Sequence, residues 1–240
     1  MVSEGDYVTE DLKTLRVGFI YSLVSLVLFV LLWAFLCRGF LVVLFYLFPF
    51  MVLFVWAYGA SKRVQGWNLV RQQDTAGILS FTWKMNLFFM LLPLFLSLAG
   101  YVLAVESSPW FYLFVAASTS TVWGYSTFRE AKGLRKLEEE NKISLRVARF
   151  CSLAGILVYV CSVLSLSALV VYEYMIGAYI VNSFLRVLLV FPFFNFSMLL
   201  DSMVAAAPFL MVSCITVIIR LKRVAHQSEH EGSARAPILL

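Results

Sequence analysis

The stretch Trp-Ala-Tyr-Gly-Ala-Ser-Lys-Arg-Val-Gln-Gly, residues 56–66, recurs in related form as Trp-Gly-Tyr-Ser-Thr-Phe-Arg-Glu-Ala-Lys-Gly, residues 123–133. The copies lie 67 residues apart; Trp56, Tyr58 and Gly66 recur unchanged, and Lys62 is matched by an arginine. In each copy a long apolar run gives way to charged residues. We interpret the stretch as the exit of a transmembrane hairpin, and its recurrence favours duplication of a hairpin unit.

The composition indicates a membrane protein. Of 240 residues, 62% are hydrophobic and only 14% are charged, whereas a soluble domain is about half apolar and about a quarter charged. The excess extends over the whole length, which argues against a soluble domain with an anchor. Because a bilayer core takes roughly 20 apolar residues per helix, the sequence predicts an all-α, polytopic transmembrane helical bundle with six or seven spans.

The charged residues divide the chain into three hairpins. Arg38-Gly39 marks the first turn, because arginine is costly at mid-membrane and glycine allows a tight turn. The predicted order is a cytoplasmic N-terminal segment at 1–16, a hairpin at 17–61, a basic cytoplasmic loop at 62–84, a second hairpin at 85–128, a charged cytoplasmic helix at 129–149, a third hairpin at 150–219, and a basic, then disordered tail at 220–240.

The third hairpin is longer than the other two and contains an extra segment at 173–202. This segment is either embedded at the outer face or part of a seventh span. Six spans place 17 of the 19 Lys and Arg residues on the cytoplasmic side together with the N-terminus, as positive-inside topology requires. Seven spans would bury Arg186 in mid-helix, at roughly 2.5–3.5 kcal/mol. We favour six spans; the sequence does not indicate which membrane.

Three charged residues interrupt the 70 apolar positions from 150 to 219, namely Glu173, Arg186 and Asp201. Ionisable groups at membrane depth are candidates for function and are usually paired. We interpret the three as a candidate ion path or intramembrane charge pair. The alternative is that they lie at the outer interface and end the spans.

The helix at 129–149 carries seven basic and four acidic residues. Arg135, Lys136, Arg146 and Arg149 are its candidate contacts with lipid or with a protein partner. The predicted partners are the lipid bilayer and either a second copy of the chain or another membrane protein. We attribute the net charge of +5 to cytoplasmic loops and predict no nucleic-acid partner, because the sequence contains no nucleic-acid-binding motif.

Patterns typical of catalysis are scarce. The two histidines lie in the tail, and the sequence has no phosphate loop and no nucleophile elbow. The four cysteines match no zinc or redox spacing. The sequence therefore predicts no catalytic residue, no metal site and no cofactor, and it makes an enzyme the least favoured class. Asn195 begins an N-glycosylation pattern, but a pattern of three residues is weak support for glycosylation.

Two functions remain open. The first is a non-enzymatic scaffold or regulatory membrane protein that acts through its basic cytoplasmic arms. The alternative is a small oligomeric transporter or channel that uses Glu173, Arg186 and Asp201. We favour the first because polar residues in the predicted spans are few.

Overall fold

The computed structural model describes residues 4–37, 42–70, 72–103, 109–141, 143–175 and 191–234. In these residues the chain is helical and forms no strand, so the all-α class is confirmed. The helices are α1 (Glu4–Cys37), α2 (Val42–Leu69), α3 (Gln73–Leu103), α4 (Pro109–Asn141), α5 (Arg146–Met175) and α6 (Phe191–Ala234).

Three of the described helices are long and apolar enough to cross a membrane. The segments concerned are Asp11–Ala34 in α1, Arg146–Ala168 in α5 and Asp201–His226 in α6. Large apolar side chains, among them Phe54 and Phe150, lie exposed on the outside of the protein. A soluble protein rarely exposes so much apolar surface, so these observations indicate a membrane protein.

The six described helices form a closed ring. Each helix packs against the next one along the chain, and α6 packs against α1. Neighbours run antiparallel: Gly66 near the end of α2 meets Leu15 near the start of α1, and Gly133 near the end of α4 meets Thr75 near the start of α3. A common interior therefore lies between these helices.

Glycines allow the closest approach between α1 and α2. A Cβ atom added to Gly66 would lie 2.5 Å from the Cα of Leu15, and one added to Gly18 would lie 2.6 Å from the backbone nitrogen of Arg63. Small residues let helix backbones approach in this way in membrane bundles. The glycine that ends the first copy of the repeated stretch is thus required by packing.

Most basic residues of the described chain lie at one end of the ring, which we call the basic end. There α1, α3 and α5 begin and α2, α4 and α6 end. The basic residues at or near it are Lys13, Arg16, Lys62, Arg63, Arg129, Lys132, Arg135, Lys136, Arg146, Arg149, Arg220, Lys222 and Arg223. The predicted polar loop at 62–84 is largely helical, because α2 continues to Leu69 and α3 begins at Gln73.

Candidate functional site

A polar cavity of about 70 Å³ lies inside the ring, and side chains from all six described helices line it. We call it the chamber. At roughly 10–15 Å³ for each water position, it has room for about five water molecules. Its small polar lining residues are Ser22, Ser25, Thr82, Asn86, Ser126, Thr127, Ser152 and Ser213.

The ion pair between Arg63 and Glu130 is the central feature of the chamber. Arg63 Nη2 contacts Glu130 Oε2 and joins α2 to α4, two helices that are not neighbours in the ring. The side chain of Glu130 is 7% exposed and that of Arg63 is 19% exposed. The two charges therefore neutralise each other inside the protein.

Neighbouring side chains hold both partners of the pair. Trp67 Nε1 donates a hydrogen bond of 3.1 Å to Glu130 Oε1, and Arg63 Nη1 donates one of 3.2 Å to Ser22 Oγ. The guanidinium also lies 5.2 Å from the ring centre of Phe19. A buried ion pair is tolerated when additional hydrogen bonds of this kind satisfy its remaining groups.

Two polar atoms of chamber residues are buried without a hydrogen-bond partner in the described part of the protein. They are Arg63 Nε, a donor, and Asn86 Oδ1, an acceptor. Asn86 is only 2% exposed and lines the chamber. Neither atom is accessible to a water molecule, so both lie against protein and not at the open space of the chamber.

Three tryptophans, Trp56, Trp83 and Trp123, provide the aromatic part of the chamber wall. Trp123 packs edge-on against Tyr159, with ring centres 4.6 Å apart and an angle of 64° between the rings. Tyr159 is itself fully buried. The chamber thus combines hydroxyl groups, one charge pair and aromatic surface.

The two copies of the repeated stretch turn the same face to the chamber. Residues at spacing i, i+4 and i+7 share one face of a helix. The chamber-lining residues that lie 67 positions apart on α2 and α4 are Trp56 and Trp123, Ala60 and Thr127, and Arg63 and Glu130. The interpretation of the repeated stretch as a membrane exit does not predict that one face of it lines a chamber, although the helical spacing of these residues is visible in the sequence.

The third pair of helices contributes to the chamber in a similar way. Each odd-numbered helix provides at least one hydroxyl and each even-numbered helix at least one polar side chain. Among them are the hydroxyls of Ser22, Thr82 and Ser152 and the side chains of Arg63, Glu130 and Ser213. In the third pair, Ser213 Oγ donates a hydrogen bond of 2.9 Å to the carbonyl of Ala148, which precedes Ser152 by four residues. The first pair has the same spacing, because Gly18, which contacts Arg63, precedes Ser22 by four residues.

The structure describes one side chain of the predicted intramembrane charge set. Asp201 Oδ1 accepts a hydrogen bond of 2.6 Å from Trp33 Nε1, at the end of the ring opposite the basic end. Arg186 and the side chain of Glu173 lie outside the described residues. Any pairing among the three therefore stays a prediction.

The four predicted contact residues lie at the basic end. Arg135, Lys136 and Arg146 are exposed, and Arg135 Nε lies 3.0 Å from Glu139 Oε1 of the same helix. Arg149 is half-buried, and its Nη2 lies 2.7 Å from Glu138 Oε2, which joins the start of α5 to the end of α4. No group of three or more His, Cys, Asp or Glu residues suited to a metal ion occurs in the described part of the chain.

Fold and chamber together define the class as an all-helical membrane protein whose helices enclose a charge-paired polar chamber. Comparisons of the chain with protein-family models, with curated proteins and with solved structures found no match.

Proposed function

We propose that the protein is a membrane transport protein, a channel or a carrier, whose chamber binds a small solute on its way across the bilayer. The observation that carries this proposal is the buried pair of Arg63 and Glu130 in a cavity lined by residues of all six described helices. Ionisable residues within membrane bundles face the interior or water-filled cavities and mark pathways for solutes or protons. A scaffold does not require such a chamber.

The proposal takes the six helices as six antiparallel spans with the basic end in the cytoplasm. Lys and Arg accumulate in cytoplasmic segments, which supports this orientation and places the N-terminus inside. The matching chamber faces of α2 and α4 support duplication of a helical hairpin. Association of several copies, as predicted for a small transporter, is compatible with this arrangement.

Polar groups occur at two depths of the ring, which supports a path through it. Arg63 bonds to Ser22 of α1, and Asp201 bonds to Trp33 of the same helix. Eleven residues of helix separate those contacts, or roughly 16 Å at 1.5 Å per residue. This is about half of the 30 Å bilayer core, and Ser25 is buried between the two levels.

A scaffold that acts through the basic arms is the weaker proposal. Two of its four predicted residues are engaged within the chain, because Arg135 pairs with Glu139 and Arg149 pairs with Glu138. Lys136 and Arg146 are exposed and keep that function open. They also offer control positions, since neither lines the chamber.

Solute flux into liposomes that contain the purified protein tests the proposal. Stopped-flow light scattering would measure the entry of water, small polyols, amides, amino acids and monovalent salts. We expect at least one of these to enter faster than into protein-free liposomes. Lys136→Glu should leave this rate unchanged, whereas the double variant Arg63→Met/Glu130→Met should abolish it. Equal rates with and without protein for the whole panel would contradict a transport function.

A further inference from the structure

We infer that the chamber takes a small, uncharged polyol. This inference rests on the proposed transport function and names its substrate class. It follows from three properties of the chamber, namely its charge, its hydroxyl oxygens and its aromatic wall.

The charge of the chamber selects against ions. Arg63 and Glu130 are the only Arg, Lys, Asp or Glu side chains among its described lining residues, and they neutralise each other. Both oxygens of Glu130 are engaged, by Arg63 and by Trp67. A charged solute would lose its hydration without gaining a counter-charge, which is strongly unfavourable inside a protein.

The hydroxyl oxygens of the wall match a hydroxyl compound. Ser25 and Thr82 line the chamber, and their hydroxyls donate their protons to backbone carbonyls, of Ser22 and of Ile78. Their oxygens retain acceptor positions, because a hydroxyl carries one donor and two acceptor positions. Each hydroxyl of a polyol can therefore donate to such an oxygen.

The wall also suits the carbon skeleton of a polyol. Three indole rings line the chamber, and small-molecule sites typically combine aromatic surface with a few polar groups that orient the ligand. Space for about five waters corresponds to a solute of roughly five to seven non-hydrogen atoms. Glycerol is a suitable probe.

The test compares glycerol with charged solutes in proteoliposomes that contain the full chain. We expect glycerol to enter at least tenfold faster than potassium chloride or glutamate at equal concentration. Thr82→Val should slow glycerol about three- to tenfold, the effect of one lost hydrogen bond. Thr121→Val is the matched control, because Thr121 is exposed and bonds within its own helix, to the carbonyl of Ala117.

A second variant separates recognition from folding. Asn86→Asp places an unpaired carboxylate at the chamber and should raise the ratio of potassium to glycerol flux. An unchanged ratio in Asn86→Asp, or glycerol flux unaffected by Thr82→Val, would overturn the inference. Flux of ions or of water alone would overturn it while leaving the transport function intact, whereas the absence of any flux would remove the transport function itself.

Discussion

Arg63 and Glu130, which occupy equivalent positions 67 residues apart in the two copies of the repeated stretch, form an ion pair with each other across the interior of the helix ring. Each copy thus provides one half of the pair. If the copies arose by duplication of a hairpin, the equivalent position has acquired opposite charges in its two versions. The pair links helices that do not otherwise pack as ring neighbours.

Removal of one charge from this pair should destabilise the protein. We expect Arg63→Met or Glu130→Gln to lower the free energy of unfolding by about 3–5 kcal/mol, because either leaves an uncompensated buried charge. The double variant Arg63→Met/Glu130→Met should recover most of that loss, since an apolar replacement of both partners is often neutral. Unfolding by titration with a denaturing detergent measures all three, and additive losses in the double variant would show that the charges are not coupled.

The glycines of the helix ring provide a matched packing test. Gly66→Ala should destabilise the protein by about 1–3 kcal/mol, because overpacking against a backbone forces it to shift and the nearest atom is the Cα of Leu15. Gly77→Ala is the control: nothing lies within 4 Å of a Cβ at Gly77 in α3. There the better helix propensity of alanine should stabilise by about 0.5–1 kcal/mol. Equal effects at the two positions would contradict the close approach of α1 and α2.

The closure of the ring between α1 and α6 depends in part on Trp33 and Asp201. Trp33→Phe removes the donor of their hydrogen bond and should lower the free energy of unfolding by about 1.5–3 kcal/mol, as for bonds to charged groups. Tyr125→Phe is the control, because it also removes a polar group from an aromatic side chain. Tyr125 is 53% exposed, so this substitution should change the free energy of unfolding little. If both substitutions have the same small effect on detergent unfolding, the bond does not hold α6 to α1.

The number of spans can be tested by labelling. Single cysteines at Ser3 and Ser228, in a chain whose four native cysteines are replaced by alanine, should react with a membrane-impermeant reagent from the same side. The reason is that six antiparallel spans return the chain to its starting side. Reaction from opposite sides would require an odd number of spans and would place the basic end on both faces of the membrane.

The membrane nature and helical class can be predicted from the sequence, because runs of apolar residues report directly on burial in lipid. The chamber cannot. One charge after an apolar run normally marks the end of a span, so the sequence assigns Arg63 to a cytoplasmic loop together with the other cations. Its partner Glu130 lies two helices further on, and no local pattern brings them together.

The surroundings of Asn86 and Asp201 likewise cannot be predicted from the sequence. In the sequence Asn86 belongs to the opening of the third predicted span, and only the packing of six helices reveals that it is buried in the chamber. For Asp201 the sequence predicts a pair with Arg186 or a place at the interface, whereas its contact with Trp33 spans 168 residues of sequence. Such contacts are set by tertiary packing.

The most direct test of the transport function is glycerol flux through the double variant Arg63→Met/Glu130→Met, compared with the wild-type chain in liposomes of equal protein content. The detergent unfolding curve of the double variant should show that it remains folded. Its chamber lacks the charge pair and the hydrogen-bond donors of Arg63. We predict flux above that of protein-free liposomes for the wild type and no flux above that level for the variant. Equal flux through both proteins would contradict a transport function centred on Arg63 and Glu130, whereas no flux through either would contradict glycerol as the solute.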